Sequence, residues 1–126
     1  MLLDSNIIII ASKLVHVKLI NYLRNNETAL QTSIVSQIEV LGYHQLKQVE
    51  QAFLENFFKA IPVIPLDAAI AAKAIELRQR KPISLADSII AATALTYNLT
   101  LFTDNIKDYT GIQGLTLMSV ADVLSE

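Results

Sequence analysis

The stretch Ser84 to Tyr97, reading SLADSIIAATALTY, is apolar around so much of a helical turn that it must be buried on much of its surface. Leu85, Ile89, Ala92 and Leu95 recur at near-helical spacing, and Ile90, Ala91 and Ala94 widen the stripe. Its alanines let neighbouring backbones come close. One carboxylate, Asp87, sits in the first turn against the grain of that burial. A charge in such a place needs a partner, a cap or a metal.

Around this helix the chain alternates short apolar runs with helical patterns. Met1 to Leu3 reads as a buried first strand ending at Asp4, and Ile7 to Ile10 as strand or helix. Lys13 to Asn25 has helical spacing, with Leu14, Val17, Ile20 and Leu23 as its buried stripe. Ala29 to Thr32 is a second strand, and a helix follows from Ser33 through Leu41, its end weakened by Gly42. Gln45 to Ala60 is amphipathic, with Leu46, Val49, Phe53 and Phe57 toward the core. The short strand Val63 to Leu66 is bracketed by Pro62 and Pro65, which places it at an edge. Asp67 caps a helix from Ala68 to Arg80. Beyond the central helix come a strand at Thr100 to Thr103, a short helix ending near Tyr109, loop glycines at Gly111 and Gly114, a strand at Leu115 to Met118 and a helix from Ser119. Strands separated by helices throughout predict an α/β fold with a parallel sheet, as one domain over residues 1–126.

Composition narrows the chemistry. With no cysteine there is neither a disulfide nor a thiolate zinc site, and His16 and His44 match no ligand spacing. His16 reads as a helix-face residue and His44 as a loop or helix-end residue. A net charge of −2 argues neither for nor against a nucleic-acid partner. The start, MLLDSNIIII, lacks a basic leader, and no apolar run reaches the length of a membrane span, so a cytoplasmic protein is expected. A hydrophobic content of 52% is high for a small monomer and points to self-association through an apolar patch.

In an open parallel sheet, sites form beyond the carboxyl ends of the strands. Asp4 and Asp104 fall there, each after an apolar strand. Glu39 and Asp87 lie on helices among apolar neighbours. An oxygen-only cluster of this kind suits Mg²⁺ or Mn²⁺, and without metal such carboxylates repel one another. Each acid also has a plainer reading. Ser84 with Asp87, Ser36 with Glu39 and Ser119 with Asp122 all have the form of a capping box, and Asp104 could cap the turn that follows it. Asp4 and Glu39 have less structural work to do, and the four together outweigh the separate readings. Asn6 holds the turn after the first strand or orients a ligand, and Thr103 caps a turn or hydrogen-bonds a carboxylate. The basic cluster of Arg78, Arg80 and Lys81 suits a helix C-terminus.

The segments LLDSNIII, SIVSQIEVLGY, ISLADSIIAATAL and LFTDNIKDY resemble the four acidic motifs of the PIN-domain ribonucleases, in order and spacing, and within them the VapC-type toxins. The resemblance covers essentially the whole chain. It implies a parallel sheet flanked by helices and a Mg²⁺- or Mn²⁺-dependent endoribonuclease acting on RNA. It also implies frequent dimerisation and a cognate antitoxin that occludes the site. Carried over by position, Asp4, Glu39, Asp87 and Asp104 match the family's catalytic and metal-binding acids, and Asn6 and Thr103 its polar accompaniments. Asp4 and Asp87 would be the main ligands, with Glu39 orienting a water or second ion and Asp104 completing the set. Ser5 stands where threonine is frequent and keeps the hydroxyl. A receiver-like domain would need a second acid after the first strand, and an aspartyl phosphatase a DxD where this chain has DxN. A DNA-directed nuclease and a catalytically silent interaction module of the same fold are the remaining alternatives.

Overall fold

Two leucines suffice to begin the sheet because both edges of their strand are paired. In the computed structural model, which describes residues 1–124, Leu2 N–H donates to Thr100 C=O on one side, and Gln31 N–H to Met1 C=O on the other. The elements in order are β1 (Leu2–Leu3), α1 (Ser5–Ser12), α2 (Val17–Asn25), β2 (Gln31–Ser33), α3 (Ile34–Leu41) and α4 (Gln48–Ala60). Then come β3 (Val63–Ile64), α5 (Ala68–Arg80), α6 (Leu85–Thr96), β4 (Leu101–Phe102), α7 (Ile106–Tyr109), β5 (Leu117–Met118) and α8 (Val120–Leu124). All strand pairs are parallel, in the order β3-β2-β1-β4-β5. The α/β fold read from the alternating pattern is the fold found, with the Pro-bracketed β3 at an edge.

The two faces of the sheet carry separate cores, and strand alternation divides them. Leu2 and Leu101 point to the side of α5 and α6, against Ile70, Ala74, Leu77, Ile90 and Ala91. Leu3 and Phe102 point to the opposite side, against Ile7, Ile8, Leu19, Leu54 and Phe58. Shifting β1 by one residue would exchange the faces, so its register is strongly specified.

The central helix is as buried as its composition demands. Ser88 through Ala94 is buried without interruption. Its two polar members are satisfied within the helix: Ser88 Oγ donates to Leu85 C=O and Thr93 Oγ1 to Ile89 C=O. Leu85 departs from the expected stripe. It is 63% exposed, in the first turn of α6 ahead of the buried run that begins at Ser88. Asp67 caps α5 as expected, accepting from Ile70 N–H at 2.9 Å.

On the other face two stripes are rephased. Leu14 lies in a loop at φ 63°, so α2 starts only at Val17 and buries Leu19 and Leu23, leaving Leu14 and Val17 exposed. His16 takes the N-cap position of α2 rather than a helix face. In α4 the innermost residues are Glu50, Leu54 and Phe58, one position on from the expected set, and Val49 is 67% exposed. A buried Glu50 at this position is invisible to an apolar pattern; it is tolerated because Lys13 pairs with it. Gly42 is the C-cap of α3, and a Cβ there would come within 2.4 Å of the Ile38 carbonyl oxygen, so the position demands glycine.

The Lys13 hydrogen bond holds the Glu50 carboxyl below its usual range. A depressed carboxylate contributes stability that is present above its unfolded pKa and lost as pH falls through the folded one. Glu50→Gln is therefore expected to flatten the acid limb of the stability profile below about pH 4.5, the ordinary glutamate value. Urea unfolding at a series of pH values measures this; an acid limb as steep as wild type would assign it to other carboxylates.

Candidate active site

The site lies where the chain reverses its direction across the sheet. From β1 it proceeds outward to β2 and β3, then returns to add β4 on the other flank of β1, so the carboxyl ends of β1 and β4 bound a crevice. Asp4 leaves β1 there, and Thr103 and Asp104 leave β4.

Asp4 is both the N-cap of α1 and the most heavily bonded side chain of the crevice. Its Oδ1 accepts from Ser5 N–H at 2.8 Å. Its Oδ2 accepts from Thr103 Oγ1 at 2.8 Å, Tyr109 OH at 3.0 Å and Asn6 Nδ2 at 3.3 Å. Asp4 as a whole is only 4% exposed. Burial pushes its pKa up; the bonds from Thr103, Ser5 and Tyr109 pull it down without cancelling the rise, to which the neighbouring Asp87 charge adds.

Asp87, in the first turn of α6, meets Asp4 through a third residue: Tyr109 OH lies 3.1 Å from Asp87 Oδ1. This separates Asp87 from the plainer capping reading. At Ser119 the box closes in both directions, with Ser119 N–H donating to Asp122 Oδ2 and Asp122 N–H to Ser119 Oγ. At Ser84 the serine half is made, Asp87 N–H donating to Ser84 Oγ, while the carboxylate bonds to Tyr109.

The other two acids stand at the rim. Glu39 is exposed on α3 rather than enclosed by apolar neighbours, for Ile38 beside it is 66% exposed. Ser5 Oγ donates to Glu39 Oε1 at 2.7 Å and lies 3.0 Å from Ser36 Oγ, tying α3 to the residue after Asp4. Helix α3 is capped by Ser33, so Ser36 is not a capping residue. Asp104 is exposed, and its backbone N–H donates to Asn6 Oδ1 at 3.1 Å. Thr103 fills both roles open to it, donating to Asp4 and accepting from Asn105 N–H. Asn6 likewise joins the β4 turn to Asp4. Among the described residues no three His, Cys, Asp or Glu side chains are close enough to share a metal ion. The acids form one bridged pair and two rim residues.

Tyr109 is the site residue that apolar periodicity passes over. It looks like the end of a short helix, yet it is 1% exposed with its hydroxyl between two carboxylates. Burial first, then the Asp4 and Asp87 charges, push its pKa far above the usual phenol range, so it remains a neutral donor.

The donor chemistry of the pair fits a hard divalent cation. Mg²⁺ is commonly held by one or two carboxylates and completes its shell with water and substrate phosphate. Asp4 and Asp87 supply two carboxylates, and among the described residues no histidine or cysteine bonds to them, a set that suits Mg²⁺ or Mn²⁺ over softer metals.

A doubly paired β1 ending in an aspartate that caps the next helix, opposite a buried helix that brings in a second, defines an α/β domain with an acidic crevice. Comparison with known proteins places it: the PIN domain family model matches residues 1–107, and the chain belongs to that family. Its likeness within the family is to the VapC type. It is 46% identical over 44 residues to ribonuclease VapC1 of Rickettsia felis, a match spanning 35% of this chain and 33% of that protein. Among solved structures it resembles VapBC2 of Rickettsia felis, bound to a DNA fragment from their promoter, with a TM-score of 0.81 and 25% identity over 94% of this chain and 96% of that one. It also resembles a toxin–antitoxin complex from Klebsiella pneumoniae, with a TM-score of 0.73 and 28% identity over 91% and 94%.

Proposed function

We propose that this chain is a divalent-cation-dependent endoribonuclease and the toxin of a toxin–antitoxin pair. The observation that carries the reading is the Asp4–Asp87 pair, bridged by one hydroxyl at the carboxyl ends of β1 and β4 in a PIN domain. Asp4 and Asp87 would hold the ion, which when bound supplies polarisation of a phosphate and activation of a water for in-line attack. Thr103 and Asn6 keep Asp4 in one rotamer. Ser5 fixes the Glu39 carboxylate, exposed at the rim, where it would orient a water. Asp104, exposed beside Asn6, would act through water.

An open rim suits a polymer. Cavities of about 160 and 180 Å³ lie on the α1–α4 side, away from the acids, and both are smaller than the roughly 300 Å³ at which small-molecule pockets begin. RNA as substrate and an antitoxin as partner follow from the VapC likeness. A homodimer accords with the apolar side chains left in solvent, among them Val15 at 73% and Ile38 at 66% exposure. Among the described residues no single helix is long and apolar enough to cross a membrane.

Labelled RNA and DNA of the same sequence, incubated with Mg²⁺, Mn²⁺ or EDTA, test the proposal. RNA is expected to be cleaved internally with either ion, and EDTA to abolish cleavage. Cleavage surviving EDTA would remove the cation from the proposal, preference for DNA would change the substrate class, and silence under all conditions would favour the interaction module.

A further inference from the structure

We propose that Tyr109 is a positioning residue for the acid pair: its hydroxyl sets the separation of the Asp4 and Asp87 carboxylates and so prepares them for one divalent cation. This rests on the cation-dependent reading above. The two acids come from opposite parts of the fold, Asp4 from the β1–α1 junction and Asp87 from the start of α6. Among the described residues Tyr109 is the one whose side chain hydrogen-bonds both, so the two oxygens lie within two hydrogen-bond lengths of each other.

The tyrosine is itself fixed. Its ring packs in the core shared by α5, α6 and β4. The Lys81 ammonium, from the end of α5, grips the backbone on either side of it, donating to Thr110 C=O at 2.9 Å and toward Asp108 C=O at 3.4 Å. The hydroxyl is therefore placed by packing and by main-chain tethers, and the carboxylates are placed by the hydroxyl. Its single proton is shared between the two carboxylate oxygens, so the hydroxyl holds both groups near it without adding positive charge of its own. Hydrogen bonds of this kind to ligating carboxylates typically govern metal affinity by ten- to a hundredfold.

Tyr109→Phe keeps the ring and removes the hydroxyl. Titration of the full chain with Mn²⁺ alone, read by calorimetry, is expected to show a Kd weaker by roughly ten- to a hundredfold, with one ion still bound. In an Asp87→Asn background the same substitution should weaken binding much less, because the pair it aligned no longer exists. Melting temperatures without metal report folding separately. A merely structural tyrosine would lower the melting temperature and leave Kd unchanged, which overturns the proposal. Tighter binding overturns it too, by making the hydroxyl a competitor of the ion. Lys81→Met provides a variant outside the pair: a smaller loss of Mn²⁺ affinity is expected from the loosened backbone, and wild-type affinity would refute the tether. If wild type itself binds no Mn²⁺, the cation-dependent reading fails along with the inference; if wild type binds and Tyr109→Phe binds equally, only the inference fails.

Discussion

Asp87→Asn is expected to reduce RNA cleavage by roughly a hundredfold or more, while Asp122→Asn leaves it near wild type. The two aspartates occupy the same local pattern, three residues after a serine at a helix start. They differ in what the carboxylate touches. Asp122 accepts a hydrogen bond from Ser119 N–H and is drawn below the usual carboxylate range by it. Asp87 is turned instead toward Tyr109 and, through it, Asp4. If capping were the whole role of both, the substitutions would cost stability alike. The structure predicts divergence. An asparagine at 87 can still accept from Tyr109, and it removes a charge that bears on Asp4, so stability without metal should hold or rise. Metal should then stabilise the variant less than wild type, since one carboxylate ligand is lost. Melting temperatures with and without Mn²⁺ and initial cleavage rates decide it. Equal activity in the two variants would return Asp87 to a capping role.

What the sequence reveals and what it hides follow from range. The strand–helix alternation, the edge position of β3 and the cap at Asp67 depend on neighbours within a few residues, and each is found where the pattern puts it. Asp4 and Asp87 each have a local capping reading, and they stand out in the sequence only because four such acids recur together, after apolar strands and on apolar helices. The bond that joins Asp4 to Asp87 does not have a local signal. Tyr109 is 105 residues from Asp4 in the chain, and nothing in IKDY distinguishes a hydroxyl bridging two acids from a terminal aromatic. The stripe of α4 misleads for a related reason. A buried glutamate contradicts apolar periodicity until its cation, 37 residues earlier in the chain, is known. The exposure of Glu39 is likewise set by what α3 packs against, not by the apolar residues beside it in sequence.

Asp4 carries the largest expected effect on stability. Four donors converge on its carboxylate, from Ser5, Asn6, Thr103 and Tyr109. Asp4→Ala leaves the Ser5 N–H and the Thr103 hydroxyl without this acceptor in a nearly closed site and loosens Asn6, while Tyr109 keeps Asp87. At about 1–3 kcal/mol for each buried group left unsatisfied, partly relieved by entering water, the loss should be about 3 kcal/mol or more, with cleavage abolished. Asp4→Asn separates charge from hydrogen bonding. It also abolishes cleavage, but it retains one acceptor oxygen and removes a carboxylate whose charged form burial disfavours. Because the Asp4 pKa is raised on folding, its contribution is fully present below the unfolded value of about 3.8 and is lost as pH rises through the folded one. Without metal, the stability of wild type relative to Asp4→Asn should therefore be most favourable in acid and decline toward neutral pH. Urea unfolding of both proteins in EDTA, from about pH 3.5 to pH 7.5, measures that difference directly. A difference that instead grows with pH would mean that the four hydrogen bonds outweigh burial, and that the pair is held charged before any cation arrives.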